Sequence, residues 1–109
     1  MISSNLDQMT RGWFVGDFSP TLFNTQEVEV AVMHYKAGDS EKRHFHKIAT
    51  ELTVVSVGEI EMNGRRYTDG DIVVLAPGET SDFKAITDAI TTVVKIPGAL
   101  NDKYLTDEI

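Results

Sequence analysis

The chain is predicted to be all-β. Apolar and polar residues alternate with a period of two along most of its length, no apolar stripe of 3.6-residue period is sustained, and turn signals recur about every ten residues. Several short strands at that spacing form a sandwich or a small barrel. At 109 residues there is room for one domain. Three segments are expected: an irregular N-terminal arm over 1–25, a barrel over 26–98, and a C-terminal tail over 99–109.

In the arm, Trp13, Phe14, Phe18, Leu22 and Phe23 are scattered among Gly and polar residues, which suits a cover over part of the core. Val28, Val30 and Val32 then alternate with Glu27 and Glu29, predicting a strand that runs through His34 and Tyr35 to a break at Ala37-Gly38-Asp39. His34 shares the face of the three valines, so it is expected as a hydrogen-bonded core histidine. Leu52 to Val57 is a continuous β-forming run, Gly58 breaks it, and Glu59-Ile60-Glu61-Met62 alternates again. Asn63-Gly64 is a two-residue hairpin signal, because a type I′ turn needs positive φ at both central positions. Arg65-Arg66-Tyr67 returns, Asp69-Gly70 turns, and Asp71 to Leu75 is an apolar strand ended by Pro77-Gly78. The last long strand, Ala89 to Ile96, sets Ile90, Thr92, Val94 and Ile96 on one face before Pro97-Gly98. The polar tail from Asn101 to Ile109 is expected at the surface. Assigning the more apolar face of each strand to the interior predicts a core of Val30, Val32, Val55, Ile60, Ile72, Val74, Val94 and Ile96.

Composition narrows the function. Ten Lys and Arg against 17 Asp and Glu give a net charge of −7, a field that repels polyphosphate backbones and anionic lipid; neither nucleic acid nor membrane is an expected partner. No uncharged apolar run approaches the ~18 residues of a membrane span. Met1 to Gln8 lacks a basic start and carries Asp7, so the expected address is cytoplasmic. With no Cys, disulfides, thiolate metal sites and Cys nucleophiles are excluded, and any metal site must use N and O ligands. No phosphate-cradling or nucleophile-elbow motif occurs.

The chain has three His, at 34, 44 and 46. On a strand, residues two apart share a face, so His44 and His46 can converge on one ion while Phe45 points away. Glu51 opens the next strand, near enough to fold back beside them. Two imidazoles and a carboxylate on a β scaffold suit Fe(II) and related divalent ions and leave coordination positions open. An isolated His-x-His inside Lys42-Arg43-His44-Phe45-His46-Lys47 also reads as a solvated basic patch; the wider spacing decides between the two.

From Gly38 the sequence reads G-x5-H-x-H-x4-E-x6-G, through His44, His46 and Glu51 to Gly58. This resembles the first signature motif of the cupin superfamily at all five fixed positions. The second motif, usually G-x5-P-x-G-x2-H-x3-N, is matched in part over Gly70 to Ser81: Gly70 and Gly78 fall in place, Ala76 stands at the proline position with Pro77 beside it, and Ser81 takes the place of the usual fourth ligand, a His. The resemblance implies a cupin-like jelly-roll β-barrel, often a homodimer, with His44, His46 and Glu51 as ligands of one divalent ion inside it. Fe, Mn, Ni and Zn are not distinguished, and with only three protein ligands partial occupancy is expected. Ser81 and Asp82 are the candidates for the fourth position, Asp82 only if its strand is bulged. The implied function is a metal-dependent enzyme acting on a small oxygenated metabolite, a sugar or an organic acid. The alternatives are a small-molecule-binding module without turnover, which the missing histidine favours, and a metal-free sugar isomerase or epimerase with His44 or His46 as base. Tyr35 and Tyr67 are expected to pack. Arg65 and Arg66 are expected on a solvated hairpin edge, from which one can meet an anionic substrate.

Overall fold

The computed structural model describes residues 1–106; the last three residues of the expected tail lie outside the described residues. Ten strands run in order: β1 (Trp13–Val15), β2 (Glu29–Tyr35), β3 (Ser40–His46), β4 (Thr50–Val57), β5 (Ile60–Met62), β6 (Arg65–Tyr67), β7 (Ile72–Leu75), β8 (Ser81–Ala85), β9 (Ala89–Ile96) and β10 (Lys103–Leu105). They build two antiparallel sheets of five strands, ordered β1-β2-β9-β4-β7 and β10-β3-β8-β5-β6. A short 3-10 turn spans Leu6–Gln8, and among the described residues no helix is long or apolar enough to cross a membrane.

The strand boundaries follow the turn chemistry. Asn63 (φ 51°) and Gly64 (φ 75°) both take positive φ in the β5–β6 hairpin, where Met62 pairs with Arg65. Gly58 has φ 96° and its backbone presses on the Asp88 carbonyl and Ala89, so a side chain there would be strained and would collide with backbone. At the arm, Trp13 and Val15 pair with Ala31 and Val30, which extends the first sheet by one strand. At the other end, Lys103, Tyr104 and Leu105 pair with His46, Phe45 and His44.

The core lies between the sheets: Val55, Ile60, Met62, Phe83, Ala85 and Ala89 form one buried cluster. Val55 and Ile60 are there as the sequence pattern predicts. The other six predicted core residues are not. Val30, Val32 and Val94 are half-buried, and Ile72, Val74 and Ile96 are 60 %, 54 % and 50 % exposed. Glu29, Ala31, Thr91 and Val93 are buried instead. In β2 and β9, then, the interior face is the opposite one from that predicted, and His34, which shares the face of Val30 and Val32, is exposed. Period two fixes which residues share a face but not which face turns inward. Here the inward face of the first sheet carries smaller and polar side chains because it lines a cavity.

Candidate metal centre

The register places a row of ionisable residues across the inner face of the first sheet. Glu29 on β2 is opposite Lys95 on β9, and Lys95 is opposite Glu51 on β4. Facing them, β3 of the second sheet supplies His44 and His46, whose exposed-to-buried gradient along the strand ends in two buried residues, Phe45 and His46. The ligand atoms of His44, His46 and Glu51 lie within 4.8 Å of one another, a spacing that one ion can bridge.

Backbone carbonyls aim both imidazoles. His44 Nδ1 is 2.8 Å from the Lys42 carbonyl and His46 Nδ1 is 3.0 Å from that of Asp102. A carbonyl only accepts, so each Nδ1 carries the proton and each Nε2 is left to serve as a ligand. His46 Nε2 is 2.6 Å from Glu51 Oε2, so the two atoms converge on a position that a proton or a cation can occupy. Burial alone would raise the Glu51 pKa, but the hydrogen bond from His46 and the nearby charge of His46, Lys95 and His44 outweigh it and hold the carboxyl below its ordinary value. The donor set therefore fits a divalent ion of borderline character.

Asp102 supports the site from the C-terminal segment. Its buried carboxylate accepts from the N–H groups of Lys47, Ile48 and Ala49, each at 3.0 Å, which fixes the turn between β3 and β4. Those N–H groups hold its pKa down despite burial. The sequence offers no sign of this role, since a lone Asp in a polar tail matches no motif.

At the candidate fourth position, Ser81 is 2 % exposed and directly opposite His44, while its hydroxyl donates to the Asp82 carbonyl at 2.6 Å. The Asp82 carboxylate is occupied elsewhere, accepting from Asn63 N–H at 2.8 Å and lying 3.5 Å from Arg43. Ser81→His should therefore raise metal affinity, by about tenfold or more as one imidazole ligand is gained. Asp82→Asn should change it little. A chelator competition showing the reverse would assign the fourth position to Asp82.

The cluster opens on a cavity of about 100 Å³ whose wall includes Trp13, Tyr35, Thr53, Thr91 and Lys95. Tyr35, expected only to pack, reaches Glu41 at 3.3 Å with its hydroxyl. Burial and then the Glu41 charge push its pKa well above the usual phenol value, so it donates hydrogen bonds and does not act as a base. Arg66 pairs with Glu59 at 3.1 Å on the surface, and neither Arg65 nor Arg66 lines the cavity.

No protein-family model matches the chain, and no curated protein matches it. Solved structures do. An uncharacterised conserved protein with a double-stranded β-helix domain from Klebsiella pneumoniae superposes with a TM-score of 0.71 at 23 % identity, over 94 % of this chain and 89 % of that one. An RmlC-like cupin from Shewanella frigidimarina gives 0.64 at 24 % identity over 73 % of each chain. The DMSP lyase DddQ from Ruegeria pomeroyi gives 0.68 at 23 % identity, covering 94 % of this chain but 55 % of the lyase. With two facing antiparallel sheets and the Gly38–Gly58 motif wrapped around their shared cavity, the chain has the cupin fold.

Proposed function

We propose that this chain binds one divalent cation through His44, His46 and Glu51 and acts as an enzyme on a small oxygenated metabolite, a sugar or an organic acid, in the adjoining cavity. The convergence of those three ligand atoms within 4.8 Å carries the reading. A bound divalent ion supplies Lewis acidity or activates water. The chain's own residues do the rest: His44 and His46 are fixed by their Nδ1–H bonds, Glu51 supplies the negative charge, and Tyr35 offers a protonated hydroxyl at the wall. A lyase among the solved structures of this fold makes turnover the preferred reading over simple binding. The test is metal content in chain purified without chelator, followed by a panel of sugars and organic acids scored for turnover and for thermal shift. Partial occupancy, rising to about one ion per chain when the ion is added back, with turnover lost on its removal, is expected. Turnover that survives metal removal would move the chemistry to a histidine base, and a thermal shift without turnover would make the chain a binder.

Assembly as a homodimer belongs to the same proposal. The outer face of the first sheet presents Val30, Val32, Thr92, Val94, Leu52, Val54, Ile72 and Val74 in register, without a charged side chain among them in a chain of net charge −7. Trp13, in contrast, points into the cavity and does not supply cover. At about 1.5–3 kcal/mol per buried aliphatic side chain, Ile72→Glu with Val74→Asp should weaken self-association by a hundredfold or more. Sedimentation should show a dimer at micromolar concentration for the natural chain and a monomer for the variant; two matching monomers would remove the dimer from the proposal.

A further inference from the structure

The cavity holds two polar groups that the metal centre does not use. Thr91 is fully buried, and its hydroxyl is the one buried side-chain polar atom among the described residues without a hydrogen-bond partner; it lines the cavity. A buried hydroxyl left unpaired is costly, so Thr91 takes its partner from what fills the cavity, a water or a ligand hydroxyl that displaces it. Lys95 lies on the same strand face, four residues along β9, which is ~13 Å in extended backbone. Its ammonium sits 4.8 Å over the Trp13 ring and makes no ion pair within 4.0 Å among the described residues. Both carboxylates in register with it are engaged, Glu51 by His46 and Glu29 by the Ala99 N–H at 2.7 Å. A half-buried cation without a carboxylate partner, beside the metal cluster and in a strongly acidic protein, is a specific seat for an anion.

We propose that the ligand is a short hydroxylated monocarboxylate. Its acid end meets Lys95 at the His44, His46 and Glu51 end of the cavity, and a hydroxyl at its far end pairs with Thr91. The volume of about 100 Å³ is about three times the ~30 Å³ that a water occupies in the liquid, which suits a metabolite of a few carbons. This deepens the proposed function by choosing the organic acid over the neutral sugar, and it rests on the same cavity being the ligand site.

The test uses three probes of one length on the full chain: 4-hydroxybutyrate, butyrate and 1,4-butanediol, titrated calorimetrically with and without Zn²⁺. Metal uptake is measured first, so that failure of the metal reading is seen before any acid is added. The hydroxy acid should bind about tenfold more tightly than butyrate, the yield of one good hydrogen bond, and the diol should be weakest. Thr91→Val, of the same shape, should abolish the preference for the hydroxy acid without lowering the melting temperature, and Thr91→Ser should keep it. Lys95→Met should weaken both acids about tenfold or more but not weaken Zn²⁺ binding, because the change removes a positive charge in register with the ligand Glu51. Equal binding of the two acids, a preference that survives Thr91→Val, or acids indifferent to Lys95→Met would each overturn the proposal. Loss of several degrees of melting temperature in Thr91→Val would overturn it too, by showing that the hydroxyl has a structural partner. No metal uptake with the acid preference intact would remove the ion and leave this inference standing.

Discussion

Asp102→Ala should lower the melting temperature by roughly 10–20 °C and weaken metal binding at the same time. The carboxylate satisfies three consecutive N–H groups in the β3–β4 turn, and charge-assisted bonds lost from a buried group cost about 2–4 kcal/mol together. For a domain just over 100 residues each kcal/mol is worth roughly 5 °C. The same substitution loosens the backbone whose carbonyl holds His46 Nδ1 at 3.0 Å. Loss of such a supporting bond typically reduces metal affinity about tenfold to a hundredfold. Because the Asp102 pKa is lowered in the folded state, its stabilisation is complete at neutral pH and disappears only as pH falls below the ordinary carboxylate range near ~3.9. Thermal melts from pH 7 to pH 3 should therefore show an acid loss in the natural chain that is smaller in Asp102→Asn. Equal melting temperatures for the natural chain and Asp102→Ala would show that the turn stands without its cap.

His46→Ala and Glu51→Gln should each cut metal affinity by about a hundredfold or more, since losing a ligand exceeds the cost of losing a supporting group. Their pH behaviour separates them. In the natural chain a proton and the ion compete for the position between His46 Nε2 and Glu51 Oε2, 2.6 Å apart, so affinity should rise with pH and then level off. The direction follows from the lowered Glu51 pKa: the carboxylate prefers its charged form, and acid removes the ion by restoring the proton. Glu51→Gln removes the carboxylate's part of this dependence, while the two imidazoles must still be neutral to bind the ion. A chelator competition in which either variant retains natural affinity would place the ion elsewhere.

The metal candidates were legible in the sequence because their chemistry is local. His44 and His46 are two apart on one strand, Glu51 opens the next, and the short turn that carries the chain from one sheet to the facing one leaves them few ways to lie apart. The glycines at 58 and 64 were equally legible, since both mark turns that require positive φ. Lys95, Thr91 and Trp13 were not. Each reaches the cavity through strand pairings with distant segments, and no spacing within the chain encodes those pairings. Asp102 lies more than fifty residues from the backbone it caps.

Periodicity and turn residues are enough to show that this chain is built of strands, where most of them end, and which residues share a face. Periodicity and turn chemistry are local properties of the backbone, so they can be read without knowing what a strand packs against. Only the tertiary structure decided which face turns inward. At Ile72 and Val74 both faces of β7 are apolar, and Val73 and Leu75 are the ones packed on the core. The rule that the more apolar face is buried assumes a filled interior, and it failed at Val30, Val32, Val94 and Ile96 because the interior of the first sheet is a cavity lined by Glu51, Thr53, Thr91 and Lys95. There the polar side chains face one another around the space they line, and the β-branched residues that favour the strands are left on the outer face.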